Sequence, residues 1–270
     1  MTREKQKNEI MSRIWQEEAE PDNPFATRVA RCHGFDVYGD MLGKARWVEM
    51  LYLLFRGDVP SPAAANLLDA LALVLANPGP RDASVHAAMC GGTSGTPAAA
   101  TLTAALAVGA GQLSGGREVY LAVQDWHDCG PNIEAWRSRL TARPRDRSAS
   151  AWPEPEHPPG FDPHGVRTTL IVEQALACLA SLSHGSILPW LARRRTELEG
   201  IAGLPLALSG VAAAAFADLG FAPEQSEILH LLLRLPGAAA HALEQRKFGH
   251  KKFPFYDIEF ETTATKKEAQ

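Results

Sequence analysis

Between Gly34 and Pro60 the chain reads GFDVYGDMLGKARWVEMLYLLFRGDVP, and Trp47, Val48, Leu51, Leu54 and Phe55 recur at spacings of three and four. Lys44, Arg46, Glu49 and Arg56 fall mostly between them, so the segment predicts an amphipathic helix. Gly57 stops it and Pro60 keeps it stopped. Ser61-Pro62 is a cap followed by a first-turn proline, and Leu67, Leu71, Val74 and Leu75 share a face of the next helix until Asn77-Pro78-Gly79-Pro80. From Ala83 two helices of small residues flank a Gly-rich turn, Gly91 to Gly95, which lacks the Gly-Lys-Ser/Thr ending of a phosphate-binding P-loop. Helical patterning returns from Thr168 to Leu198, with Leu170, Ile171, Gln174, Ala175 and Cys178 on one stripe, and again from Pro205 to Leu219. A last helix, from Pro223 to Lys247, reads as interrupted near Pro236-Gly237. Residues 1 to 20 read as helical or frayed, residues 142 to 161 as a Pro-, Ser- and Arg-rich linker, and Phe253 to Phe260 as a short alternating strand. The fold class expected is all-α.

Composition narrows the function classes. The 270 residues are 46% hydrophobic, enough for a substantial core, and carry a net charge of −4. No excess of cations points to nucleic acid or an anionic membrane. The charged start has no apolar stretch of signal-peptide length, and Pro97 to Leu113 is too short and too rich in Ala, Thr and Gly to span a bilayer. A cytoplasmic location is expected. Cys32, Cys90, Cys129 and Cys178 show no paired spacing and read as reduced thiols. His127, Cys129, His157 and His164 offer nitrogen and sulfur near the linker, yet their spacing matches no standard zinc finger, so no metal site is assigned.

The wording of the first helix adds what periodicity cannot. Gly34-Phe35-Asp36, then Gly43-Lys44, then Trp-Val-Glu-x-Leu-Tyr-Leu-Leu closing in Gly57-Asp58-Val59-Pro60 resembles the amino-terminal signature of the citrate synthase family, and Gly43-Lys44 is most similar to its short citryl-CoA lyase-type members. The resemblance runs in order from residue 28 to residue 256. It implies a two-lobe helical fold, with residues 1–116 and 219–270 forming a large domain and residues 117–218 a smaller lobe able to hinge. It also implies catalysis by two histidines and an aspartate: one histidine stabilises the enol of an acyl-CoA thioester, the aspartate takes its α-proton, and the other histidine polarises a keto group.

The resemblance assigns those roles position by position. Ser114, in Leu113-Ser114-Gly115-Gly116, stands where the family has the enol-stabilising histidine. His164, in Pro159-Gly160-Phe161-Asp162-Pro163-His164, is one residue displaced from the keto-polarising histidine, with Arg167 nearby to meet a carboxylate or phosphate. Ser209, in Leu206-Ala207-Leu208-Ser209-Gly210, replaces the aspartate, and a hydroxyl of ordinary acidity is no general base. Arg234-Leu-Pro-Gly237 with Ala240-His241 resembles a carboxylate-gripping motif, so Arg234 and His241 are expected at the substrate. Asp218 lies too far along its helix to replace the lost aspartate.

Two readings follow. One is an acyl-CoA carbon–carbon lyase or synthase with a modified site, using a coenzyme A thioester as substrate and no cofactor. The other is a non-catalytic scaffold or partner subunit that binds an acyl-CoA or a dicarboxylate. The helices from Ser84 to Leu113 are apolar almost all round, which predicts a two-fold dimer, either a homodimer or a heteromer with an intact family member.

Overall fold

The computed structural model describes residues 11–141 and 155–253. Its first element corrects the expectation of a helical or frayed arm. Strands β1 (Trp15–Ala19), β2 (Thr27–Cys32) and β3 (Phe35–Asp36) form an antiparallel sheet in the order β1-β2-β3, with Trp15 opposite Cys32 and a register shift after Glu18. Glu18 pairs with Arg28 at 2.9 Å and with Arg31, so the charged arm finds its partners across a ladder rather than along a helix. His33 and Gly34, with φ of 48° and 88°, make the two-residue turn between β2 and β3. A π-helical turn, Val37–Met41, follows with Asp36 accepting from its first amides.

Helix α1 is therefore shorter than the pattern suggested. It spans Trp47–Arg56 and ends on Gly57, whose φ of 81° is the left-handed stop. Its buried residues are Val48, Leu51, Tyr52 and Leu53, while Trp47 is 69% exposed. Helix α2, Pro62–Leu75, starts as expected, with Ser61 Oγ accepting from Ala64 N at 3.1 Å. Helices α3 (Ala83–Thr93) and α4 (Ala98–Gly109) pack closely: a Cβ on Gly91 would sit 2.7 Å from Thr101 Oγ1. The glycines at 91 and 92 thus belong to α3, and the turn is confined to the residues after Thr93.

Helices α5 (Gly116–Cys129) and α6 (Ile133–Thr141) precede residues 142–154, so most of the expected linker lies outside the described residues. The single helical stretch read from Thr168 to Leu198 is two helices, α7 (Leu170–Leu182) and α8 (Ile187–Ala202). Asp218 causes the break, because its carboxylate accepts from Ile187 N and Leu188 N, both at 2.8 Å, and from Ser183 Oγ at 2.7 Å.

At the centre runs α9, Leu208–Asp218, in which every residue from Ser209 to Phe216 is buried. The main core gathers Leu68 and Leu71 of α2, Val123 and Trp126 of α5, Leu188 and Leu191 of α8, Phe216 and Phe221. The ring of Trp126 stands edge-on to Trp136 at 4.6 Å and to Trp190 at 6.0 Å, joining α5, α6 and α8. A second cluster, Val85, Ala88, Met89, Ala105, Ala238 and Ala242, fills the space between α3, α4 and the last helix.

That last helix, α10 (Pro223–Phe248), is continuous, correcting the predicted interruption. Pro236 does not end it because the adjacent Gly237 N–H donates outward to Ala76 O at 2.8 Å, and a Cβ at 237 would lie 2.5 Å from that oxygen. A 3-10 turn, His250–Lys252, closes the described chain, and the strand expected from Phe253 lies outside it. Among the described residues no helix is long and apolar enough to cross a membrane.

Candidate active site

Glu118, two residues into α5, is 2% exposed and joins three loops. Its Oε2 accepts from the backbone N–H of Ser114, just ahead of its own helix. Its Oε1 accepts from Ser209 Oγ at 2.8 Å, at the head of α9, and from Gly160 N at 2.9 Å, in the loop that follows residue 154. These are the three segments in which the family resemblance placed the catalytic groups. Carboxylate lone pairs number about four, so three donors leave Glu118 nearly saturated. Two more features hold the loop to α9: Gly160 O accepts from Ala207 N at 3.0 Å, and a Cβ on Gly210 would lie 2.3 Å from that oxygen. Gly160 itself has a φ of 87°.

Ser114 also has a left-handed backbone, with φ of 53°. That conformation is fixed from two sides, since its N–H goes to Glu118 and its carbonyl accepts from Arg234 Nη1 at 2.6 Å. Arg234 is 8% exposed, and its Nη2 pairs with Asp82. Asp82 also caps α3, accepting from Ser84 N at 2.9 Å. The neighbouring His230 lies 2.9 Å from Arg234 Nη1. Its burial, reinforced by the Arg234 guanidinium, pushes its pKa down to about 3, so the ring is neutral and accepts from the arginine. Beside Arg234 a small, mostly apolar pocket of about 230 Å³, including open solvent, is lined by Ser84, Ala105, Leu106, Leu231 and Leu235.

The other candidates sit further out. His164 is exposed, its N–H donating to Asp162 Oδ1 at 2.9 Å, and Arg167 is exposed on the same segment. His241, about two turns beyond Arg234 along α10, faces Asn77 Oδ1 at 3.1 Å. His157 is the histidine that the structure brings to the junction: it is 8% exposed and its Nε2 is 3.8 Å from Glu118 Oε1. The sequence offered His157 only as an unassigned nitrogen ligand, and it did not single out Glu118, Asp82 or His230. The position of Glu118 next to the Ser-Gly-Gly motif was the available signal. Among the described residues no group of three or more His, Cys, Asp or Glu side chains is placed to hold a metal.

Comparison with solved structures places this arrangement on a known fold. The citryl-CoA lyase of Hydrogenobacter thermophilus superposes with a TM-score of 0.68 at 15% identity, covering 94% of this chain and 95% of that one. The ATP citrate lyase of Methanothrix soehngenii, in complex with citrate and coenzyme A, gives 0.68 at 16% identity over 97% of this chain and 43% of that one. Citrate synthase from the archaeon Thermoplasma acidophilum gives 0.51 at 16% identity over 82% of this chain and 60% of that one. The chain has the citrate synthase-like helical fold. No family model matches it, and no curated protein does.

Proposed function

We propose that this chain binds an acyl-CoA and a carboxylic acid at the Glu118 junction and makes or breaks the carbon–carbon bond between them, with a rebuilt set of catalytic groups. The observation that carries the reading is the convergence of Ser114, Gly160 and Ser209 on one buried carboxylate, because these are the segments from which such a reaction is run in the family resembled. Neighbours with the same fold include a citryl-CoA lyase and a protein seen with citrate and coenzyme A, the two ligand classes proposed for this chain.

In this reading Ser114 and Ser209 line the site, His164 and Arg167 form its outer rim, and Arg234 with His241 meets a carboxylate. A ligand carboxylate reaching Arg234 has to displace Asp82 from it. Opening of the 117–218 lobe would admit a molecule the size of coenzyme A. The exposed Val108, Leu113, Ile228 and Leu232, beside the alanine face of α4, fit a two-fold dimer.

A second reading, a non-catalytic binding scaffold or partner subunit, is favoured by the hydroxyls at positions 114 and 209. Neither holds an enol as an imidazole does or takes a proton as a carboxylate does.

One set of assays separates the two. A thermal-shift titration with coenzyme A thioesters and dicarboxylates should raise the melting temperature under both, since a ligand at 100 times its Kd adds about 2.7 kcal/mol. Thiol release from acetyl-CoA with oxaloacetate, and cleavage of citryl-CoA, should run far below about 10 s⁻¹, the median for enzymes, yet above the protein-free blank under the first reading and at the blank under the second. No shift with any thioester overturns both readings.

A further inference from the structure

We propose that His157 is the acid–base group of this site, exchanging a proton with the α-carbon of a bound acyl thioester in place of the carboxylate missing at position 209. The inference rests on the acyl-CoA reading above. Glu118 accepts from Ser114 N–H, Gly160 N–H and Ser209 Oγ–H, so its lone pairs are largely engaged in holding the three loops together. Ser209 spends its proton on Glu118. His157, by contrast, is 8% exposed and neither Nδ1 nor Nε2 has a hydrogen-bond partner.

Two unsatisfied nitrogens on one buried ring are costly, about 1–3 kcal/mol for each group left unpaired, and natural interiors seldom keep such a group without a use. The place of the ring supplies the use. It stands 3.8 Å from the carboxylate on which the three motif segments converge, and it enters on the loop ending at Gly160, whose N–H and carbonyl are both pinned. Imidazole is the side chain best suited to take and return a proton near neutral pH.

The step balances without a further reagent. A ring nitrogen of His157 takes the α-proton of the acyl thioester, the C–H electron pair passes into the enolate, and the enolate carbon bonds to the keto carbon of the acid. The alkoxide so formed receives the same proton back from the ring. Cleavage is the reverse sequence.

The test isolates the proton transfer. Propionyl-CoA is incubated in D2O with the full chain, and loss of its α-protons is followed by NMR, alongside calorimetric binding of propionyl-CoA. The wild type should exchange the α-protons, whereas His157→Gln should bind propionyl-CoA but exchange about 10²- to 10⁴-fold more slowly. In the wild-type protein labelled at histidine, the His157 ring signals should move on addition of propionyl-CoA, a readout that does not depend on the variant folding. Exchange by His157→Gln at the wild-type rate, ring signals that stay in place, or a wild type that binds without exchanging each overturns the assignment of His157 and leaves the binding reading standing. A wild type that does not bind propionyl-CoA overturns both.

Discussion

Ser209 donates its hydroxyl to Glu118 at 2.8 Å, so the head of α9 is tied to the first turn of α5 across 91 positions of sequence. Glu118→Ala should lower stability by about 2–4 kcal/mol, because Gly160 N–H and Ser209 Oγ–H are left inside without an acceptor. Ser209→Ala should cost less, about 1–2 kcal/mol, since the carboxylate keeps its two backbone donors. Denaturant unfolding of both variants checks the ranking, and equal costs would show that the carboxylate is not the hub.

Arg234 is committed to Asp82, the Ser114 carbonyl and His230 together. Arg234→Ala should destabilise by about 3 kcal/mol, leaving a largely buried Asp82 without its cation. Arg234→Lys should recover little, because one ammonium cannot span Asp82 and the Ser114 carbonyl as two guanidinium nitrogens do. Under the proposed function, Asp82→Asn should free Arg234 for an external carboxylate and tighten dicarboxylate binding, measured by calorimetry, while lowering thermal stability.

His230 gives the pH dependence a sign. Its folded pKa is pushed from 6.5 to about 3 by burial and then by Arg234, so between those values the unfolded chain holds a proton that the folded chain refuses. Stability should fall as pH drops below about 6.5, by up to about 1.4 kcal/mol per pH unit from this group, and be unaffected by it above 6.5. His230→Leu should flatten that part of the curve in urea unfolding measured from pH 4 to 8.

The four thiols divide by burial. Burial, and next the nearby Asp125, raises the Cys129 pKa to about 11, and burial raises that of Cys32 as well, whereas Cys90 and Cys178 are exposed. A chromogenic disulfide should titrate two thiols quickly in the native protein and four after denaturation. Four fast thiols in the native state would refute this division.

What the sequence revealed was mostly local. Gly57, Ser61-Pro62 and the leucine spacing of α2 act within one or two turns of themselves, and those helix ends fall where they were read. The N-terminal sheet was illegible because Trp15-Gln-Glu-Glu-Ala resembles a solvated arm until Arg28 and Arg31 of the neighbouring strand come within reach of Glu18. The site was half legible. The motif positions Ser114 and Ser209 do meet, but through a glutamate whose partners Gly160 and Ser209 lie 42 and 91 residues away, and no spacing rule announces such a tie. Arg234 was named from its motif as a carboxylate contact, while the carboxylate it pairs with inside the chain, Asp82, 152 residues upstream, could be seen only after folding.

The edge-on stack of Trp126 against Trp136 and Trp190 gives the molecule a built-in optical gauge. Trp126 lies on the same helix as Glu118, eight residues or about 12 Å further along its axis. Any tilt of α5 that accompanies ligand entry at the junction changes the spacing of three indoles, hence their emission and near-ultraviolet dichroism. Trp15 and Trp47, at 38% and 69% exposure, report on solvent instead and can be exchanged for phenylalanine to quieten the background. The closing that the proposed function calls for can thus be watched without attaching a dye.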